Sequence, residues 1–325
     1  ADPLLLRQRE GFLSANPAGR NALGAQFERV LPASSTANLY PINYSGRSDP
    51  HGFYIGNDHY GADILLDLDR RTPDKTNSSV LILGNSGEGK SYLLKLLICN
   101  LLESGKTVIC LDPEQELTWL CGKLGGCYAD LMGGQFRINF LEAKRWDVDG
   151  EDNPDEPEAF RQKSSLSQHI SFLKDFFRAY KPFTHQQVDT LELMLERLYR
   201  KWGISDKTNF SAMGPEDWPI AEDLYAVLED AYEHYDQEDS PLYPRELLRE
   251  LLLGLHSMCR GAESVYFNGH TNITSARFLV FGVKDLIHAN SSVKDALLFN
   301  LLSYLSDQLL TKGNTVAALD ELYLW

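Results

Sequence analysis

Residues 84–91 read GNSGEGKS, which places glycines, a lysine and a serine at the spacing G-x-x-x-x-G-K-[ST]. Glycines at these positions let backbone N–H groups close around a phosphate, and a following helix N-terminus adds a favourable partial charge. In this motif Lys90 reaches the β- and γ-phosphates, and the hydroxyl of Ser91 binds Mg²⁺. The spacing therefore predicts a site for ATP or GTP. The predicted nucleotide-binding residues are Gly84, Asn85, Ser86, Gly87, Glu88, Gly89, Lys90, Ser91 and Tyr92.

Two adjacent carboxylates, Asp320 and Glu321, follow the apolar run 316–319. Such a run is typical of a buried strand. In P-loop ATPases an Asp at the end of this strand holds Mg²⁺ through its water shell, which gives Asp320 a metal-binding role. An adjacent Glu orients or deprotonates the attacking water, so Lys90 and Glu321 are the predicted catalytic residues. A solvated surface pair is the alternative interpretation.

Three further acidic residues leave two interpretations open. Glu88 lies inside the glycine-rich loop, where a carboxylate beside a triphosphate is disfavoured, so its side chain is expected to point away. A contact with a basic residue or a neighbouring subunit is the alternative. Asp112 and Glu116 follow the apolar run 107–111, and ligands gather at the carboxyl ends of such strands, which favours the nucleotide site or a subunit interface. A helix N-cap by Asp112 is the competing interpretation.

The elements around the glycine-rich loop have the order of a βαβ unit. Residues 80–83 predict a short buried strand, 92–102 a helix closed by Gly105, and 107–111 a second buried strand. This order predicts an α/β fold with a mostly parallel central sheet covered by helices. Further strands are predicted at 52–56, 64–68, 264–267 and 277–283, and a long helix at 292–312.

From residue 160 to residue 260 the pattern is helical throughout. Apolar residues recur every three to four positions, Thr184 and Gln187 form a predicted capping box, and Pro244 suits a first helical turn. The acidic stretch before this block predicts an exposed linker. The predicted domains are an N-terminal segment with the first part of the α/β domain at 1–146, the linker at 147–158, an inserted all-α domain at 159–261, and the returning α/β domain at 262–325.

The composition argues against several other classes of protein. Five cysteines without C-x-x-C spacing and eight histidines without a ligand-spaced pair indicate reduced thiols and no zinc site. Neither a membrane span nor a signal peptide is expected, because the long apolar runs that both require are missing. The formal net charge of −15 repels phosphate backbones on average. Contact with DNA stays possible through a local basic patch but is not indicated by this charge.

As a set, these motifs resemble those of the large ATPases of bacterial type IV secretion and conjugation systems, the TraC/VirB-four class. Residues 137–140 (RINF) resemble the family's Asn-Pro element, with Phe140 where proline is usual, and Glu88 and Leu117 are further departures. The resemblance covers nearly the whole chain. Its main stretches are GNSGEGKSYLLKLL (84–97), VICLDPEQELTWL (108–120), SFLKDFF (171–177), DWPIAEDLY (217–225), FNGHTNI (267–273) and ALDELYLW (318–325).

This resemblance implies a RecA-like P-loop NTPase domain, interrupted by an all-α domain, that hydrolyses ATP with Mg²⁺. It also implies a location at the cytoplasmic face of the bacterial inner membrane, and a role in pilus assembly and substrate transfer. Other secretion-system subunits are the implied partners, and a hexamer is expected for the active form. The family's polar sensor and arginine finger are expected beyond Trp325, and neither Arg260 nor Arg277 is expected to replace them.

Two other functions stay open on the sequence alone. A DNA-pumping translocase of the HerA or FtsK kind belongs to the same superfamily, although the acidic net charge disfavours it. A nucleotide-gated scaffold binds ATP in order to assemble and turns it over negligibly, although such a protein does not need a water-activating carboxylate at Glu321. DNA-stimulated turnover distinguishes the translocase, and turnover itself distinguishes the scaffold.

Overall fold

The structure, a computed structural model, describes residues 6–15, 21–28, 31–33, 35, 49–73, 75–144, 165–206, 208–237 and 240–321. The predicted acidic linker at 147–158 lies outside these residues. The chain divides into two compact units, Ala1–Val80 and Leu81–Trp325. The domain boundaries predicted after residues 146, 158 and 261 stay predictions.

The first unit contains helix α1 (Gln8–Ala15) and a hairpin of two strands, β1 (Phe53–Asn57) and β2 (Asp63–Leu66). The two strands are antiparallel, and both were expected from short apolar runs bounded by turn residues. The guanidinium of Arg70 lies 2.9 Å from the carboxylate of Asp49. This ion pair ties the chain before the hairpin to the chain after it.

The second unit is built on a four-stranded sheet. Its strands are β3 (Thr107–Asp112), β4 (Cys127–Asp130), β5 (Phe278–Gly282) and β6 (Thr315–Leu319). They lie in the order β4-β5-β3-β6, and every neighbouring pair is parallel. Strands β3 and β5 are buried along almost their whole length, as expected for apolar runs in a parallel sheet. The predicted α/β fold class is confirmed.

Helices connect these strands and cover the sheet. None of the helices in the described part of the chain is both long and apolar enough to cross a membrane. Those of the second unit are α2 (Lys90–Glu103), α3 (Thr118–Lys123), α4 (Ser165–Tyr180), α5 (His185–Lys201), α6 (Ala221–Glu233), α7 (Arg245–Cys259), α8 (Ser264–Phe267), α9 (Lys284–Ile287) and α10 (Ser291–Thr311).

Helix α5 shows how local sequence sets the helices. The hydroxyl of Thr184 accepts a hydrogen bond from the N–H of Gln187 at 3.3 Å, and the Gln187 side chain accepts one from the N–H of Thr184 at 2.8 Å. The predicted capping box is therefore confirmed. Leu191, Leu195 and Leu198 follow at helical spacing and are buried, which makes them core residues.

Two of the predicted strands are wrong. Residues 80–83 belong to no strand, and the side chains of Leu81 and Leu83 are 68% and 81% exposed. An extended segment becomes a strand only when a neighbour supplies ladder hydrogen bonds, and none of the described strands does so for these residues. Residues 264–267 form helix α8 instead of a strand, because so short a run does not distinguish a strand from one helical turn.

One continuous hydrophobic cluster runs through the second unit. It joins side chains of the sheet, such as Ile109 and Phe281, to side chains of helices α4–α7, such as Phe176 and Leu195. Phe140, which belongs to neither, lies in the same cluster. The helical block, defined as α4–α7, therefore shares its core with the sheet.

His169 is a fully buried residue of α4. Its Nε2 atom lies 3.0 Å from the hydroxyl of Tyr199 on α5. Burial lowers the pKa of His169 to about 3, and the nearby charge of Lys144 lowers it as well. The imidazole is therefore neutral in the folded protein at neutral pH.

We expect this histidine to make the protein less stable in mild acid. The unfolded state takes up a proton on His169 below pH 6.5 and the folded state does so only near pH 3, so its contribution is lost as the pH falls between these values. From pH 7.5 to pH 5 the loss is about 2 kcal/mol from this residue. Urea unfolding at the two pH values measures it. In the His169→Gln variant, the free energy of unfolding should fall by about 2 kcal/mol less over the same pH range. An equal fall in both proteins would contradict the assignment of this pH dependence to His169.

Candidate nucleotide-binding site

The glycine-rich loop leads directly into helix α2, which begins at Lys90. Gly87 and Gly89 have φ values of 84° and 88°, which side chains rarely adopt. A Cβ atom added at either glycine would meet no other atom within 4 Å, so the space beside the loop is open. The loop and the free N–H groups of the first helical turn together form a cradle suited to an anion.

The side chain of Lys90 lies over this cradle, and the side chain of Glu88 is exposed to solvent. The Nζ atom of Lys90 lies 3.1 Å from the carbonyl oxygen of Asn85, so the ammonium group folds back over the loop. The stem of Lys90 passes 3.5 Å from the position that a Cβ atom would take at Gly84, which is an ordinary van der Waals distance. Glu88 is exposed, which keeps its carboxylate in water. The loop therefore presents one cation to a bound phosphate.

Helix α2 runs antiparallel to the strands that it covers. Lys95 in its second turn forms a 2.9 Å ion pair with Glu116, which follows the carboxyl end of β3. At its other end, the Leu102 carbonyl accepts a 2.5 Å hydrogen bond from Arg277, which precedes β5. The N-terminus of α2 is thus directed toward the carboxyl edge of the sheet, where ligands of parallel α/β sheets bind.

Acidic residues gather at the same edge. Strands β4, β5 and β3 end in register at Asp130, Gly282 and Asp112. Leu319, the last residue of β6, pairs with the residue before Asp112, so Asp320 follows at the level of Asp112 on the neighbouring strand. The predicted phosphate loop and the predicted Asp–Glu pair therefore belong to the same edge of one sheet.

Glu321 has a backbone conformation that is uncommon outside glycine. Its φ is 49°, and its N–H donates a 2.9 Å hydrogen bond to the carboxylate of Asp320. Both residues are partly buried. This hydrogen bond holds the Asp320 carboxylate against the backbone of the turn that follows β6.

Asp112 anchors the turn after β3. Its carboxylate, only 1% exposed, accepts hydrogen bonds from the N–H groups of Glu116 at 3.1 Å and Leu117 at 2.9 Å. Burial raises the pKa of Asp112, these backbone hydrogen bonds oppose that shift, and the charge of Asp320 adds to it. The carboxylate thus holds the turn between β3 and α3, but the N-cap of α3 is Leu117 and no side chain caps it, so the predicted helix N-cap by Asp112 is wrong. A role of Asp112 at the nucleotide site or at a subunit interface stays a prediction.

The Asp112→Ala variant should be less stable by about 1–3 kcal/mol, because two inward N–H groups lose their acceptor. Urea unfolding measures the change in the free energy of unfolding. Glu114→Ala is the matched control, since Glu114 lies in the same turn and is exposed. Equal stability of the two variants would show that the Asp112 hydrogen bonds contribute nothing.

The residues present fit a magnesium nucleotide. Among the described residues no group of three or more His, Cys, Asp or Glu side chains could hold a metal ion by itself. Mg²⁺ in nucleotide sites needs no such cage, since it binds one or two protein oxygens, water and phosphates. Ser91 at the start of α2 and Asp320 after β6 are oxygen donors of that kind.

The two arginines considered as finger residues are occupied elsewhere. Arg260 donates to Glu222 at 2.7 Å and to Glu229 at 2.5 Å, and its guanidinium lies 4.5 Å from the ring centroid of Tyr225. Arg277 binds the end of α2, as described above. Both side chains therefore have partners within the second unit.

Sequence reasoning did not find the ion pair between Lys95 and Glu116. The only signal was that both residues flank predicted phosphate-site elements, Lys95 inside the helix and Glu116 after the strand. Pairing across 21 positions depends on how α2 lies on β3, which periodicity does not encode.

Similarity to known proteins shows which family the chain belongs to. Residues 56–253, more than half of the chain, match the family described as helicase HerA, central domain. The chain belongs to this family. Its structure is also similar to VirB4 of Thermoanaerobacter pseudethanolicus, with a TM-score of 0.71 and 30% identity, over 86% of this chain and 70% of that one. These matches confirm the resemblance to the VirB4/TraC class of type IV secretion ATPases and the RecA-like P-loop fold.

Two relatives in sequence have longer chains. An uncharacterized protein of Bacillus anthracis is 26% identical over an alignment of 319 residues, and the match covers 92% of this chain and 48% of that protein. Protein TraC of Escherichia coli strain K12 is 30% identical over 105 residues, which make up 32% of this chain and 12% of TraC. The chain thus spans about half the length, or less, of the curated relatives that it matches.

Proposed function

We propose that this chain is the ATP-hydrolysing motor part of a type IV secretion system and energises pilus assembly and substrate translocation. The similarity to VirB4 over 86% of the chain carries the proposal, because that family consists of P-loop ATPases. The open glycine-rich loop at the N-terminus of α2 also supports the proposal, because such a loop can bind the phosphates of a nucleotide.

Four of the predicted site residues have a side-chain role in the proposed reaction. The ammonium group of Lys90 exchanges the Asn85 carbonyl for β- and γ-phosphate oxygens of ATP. The hydroxyl of Ser91 and, through water, the carboxylate of Asp320 hold Mg²⁺, which when bound offsets negative charge on the phosphates. Glu321 orients the attacking water and takes its proton.

The partners and location follow from the class and belong to the same proposal. The chain works as an oligomer, with a hexamer as the active form, beside other secretion-system subunits. It does so at the cytoplasmic face of the bacterial inner membrane. The acidic net charge of −15 gives no general attraction to nucleic acid, so DNA is not proposed as a ligand.

Turnover of ATP by an assembly that contains this chain and all trans-acting residues, measured with and without duplex DNA, tests this proposal. A secretion ATPase should release phosphate at a rate that DNA leaves unchanged. Stimulation by duplex DNA would instead support the HerA or FtsK kind of translocase. ATP binding without turnover, in an assembly that contains all trans-acting residues, would support a scaffold.

A further inference from the structure

A largely buried segment, residues 138–144, contacts both the sheet side of the second unit and the helical block, and we call it the 138–144 joint. Asn139 and Phe140 are fully buried in it, and the side chain of Lys144 is 2% exposed. None of its residues takes part in the proposed reaction. Its polar groups are nevertheless bonded to elements on every side.

Asn139 provides the first set of bonds. Its Nδ2 atom donates to the carbonyl of Pro219, just before α6, at 2.9 Å. Its backbone N–H donates to the hydroxyl of Thr271, in the chain that leads into β5, at 3.0 Å. Its Oδ1 atom accepts from the N–H of Leu141 at 3.0 Å, and its carbonyl accepts from Lys144 at 3.3 Å. Asn139 thus links the start of α6, in the helical block, to the segment that precedes strand β5.

Two backbone carbonyls of the joint provide the second set. The carbonyl of Ile138 accepts from the side chain of Asn300, on α10, at 2.7 Å. The carbonyl of Leu141 accepts from the hydroxyl of Tyr199, on α5, at 2.8 Å, and the same hydroxyl is bonded to His169 on α4. Buried groups of this kind are costly to leave unpaired, so these bonds fix the positions of three helices relative to the joint.

Phe140 provides an apolar anchor at the same place. Its ring is stacked on Phe176 of α4, with centroids 4.5 Å apart and an interplanar angle of 13°. Phe177 and Phe267 meet it edge-on at 5.9 Å and 6.5 Å. A proline at this position has no aromatic ring to offer, so the departure from the family's Asn-Pro element strengthens contact with the helical block.

The joint is also connected to the candidate site. Helix α10, which holds Ile138 through Asn300, packs against β6, and Asp320 follows the end of β6. We propose that the 138–144 joint couples the helical block to the nucleotide-binding sheet, so that a nucleotide-dependent shift at the carboxyl edge moves α4–α7 as one body. The nucleotide-dependent half of this inference rests on the proposed function, and the mechanical half does not.

A matched pair of variants in α5 tests the joint. Tyr199→Phe removes a buried hydroxyl that bonds the joint. Thr190→Val removes a buried hydroxyl that bonds the Gln186 carbonyl of its own helix at 2.8 Å. Amide hydrogen exchange is measured along the whole chain by mass spectrometry, first without nucleotide. Both changes are small, so both proteins should fold.

Without nucleotide, exchange in α5 and α6 should be about tenfold faster in Tyr199→Phe while β3 and β5 keep the wild-type rate. Thr190→Val should quicken exchange only near residue 190. Two outcomes for Tyr199→Phe would overturn the proposal. One is faster amide exchange to the same degree in the sheet and in the helical block, and the other is an exchange pattern identical to that of Thr190→Val.

Addition of ADP or a slowly hydrolysed ATP analogue tests the nucleotide-dependent half. In the wild type, exchange should slow at residues 84–92 and also in α5 and α6. In Tyr199→Phe the slowing at residues 84–92 should persist and that in α5 and α6 should be weaker, because one bond of the joint is missing. Slowing confined to residues 84–92 in the wild type would overturn the coupling. Absence of slowing at residues 84–92 would contradict the proposed function, and the nucleotide-free measurement would still decide the mechanical half.

Discussion

The Lys90→Ala variant should lose ATP hydrolysis by about a hundredfold or more, the usual effect of removing a group that stabilises transition-state charge. The ammonium group already lies over the loop, 3.1 Å from the Asn85 carbonyl, and needs only a short movement to reach a phosphate. ATP binding should weaken by about tenfold to a hundredfold, because charge-assisted hydrogen bonds are lost. Phosphate release and calorimetric titration measure the two effects.

Lys95→Ala is the control for this prediction. Lys95 lies on the same helix and also carries a charge, but its partner is Glu116 and the pair is partly exposed, so the change should cost little. Normal hydrolysis by Lys90→Ala would show that the phosphates bind elsewhere. Equal losses in both variants would point to damage of the helix and not to a phosphate contact.

Glu321→Gln should bind ATP like the wild type and hydrolyse it about a hundredfold to ten-thousandfold more slowly. The amide keeps the size of the side chain and its hydrogen-bonding reach, but it does not accept a proton at neutral pH. The backbone bond from Glu321 to Asp320 is unaffected by the change, so the local turn should persist. Single-turnover kinetics separate the chemical step from binding and product release.

Glu114→Gln is the matched control, because Glu114 is an exposed carboxylate after the neighbouring strand β3. It should hydrolyse ATP at the wild-type rate. Wild-type turnover by Glu321→Gln would remove this residue from the water-activating role. A loss of ATP binding by Glu321→Gln would assign it to the binding of the nucleotide instead.

Sequence patterns predicted those parts of the fold that depend on neighbours in the chain. The capping box at Thr184 and Gln187 and the glycine-rich loop before α2 are set by residues a few positions apart. Strands β3 and β5 were found from their apolar runs, because in a parallel sheet both faces are covered.

Features that depend on distant partners were missed or wrong. Residues 80–83 have the composition of a buried strand, but a strand also needs a partner, and composition does not say whether one is present. The roles of Asp112 and Asn139 depend on which backbone N–H and carbonyl groups come near them in space. Phe140 looked like a mere departure from a motif until its stacking on Phe176 was visible.

The shared core of the helical block and the sheet has a consequence for modularity. An inserted domain with its own core can be deleted or exchanged between homologues as a cassette. Here the hydrophobic cluster is continuous from Ile109 in the sheet to Leu195 in α5. Excision of the block would therefore expose a large apolar surface on the sheet that remains. A chimera made from this chain would therefore need the sheet-facing residues and the block to be exchanged together.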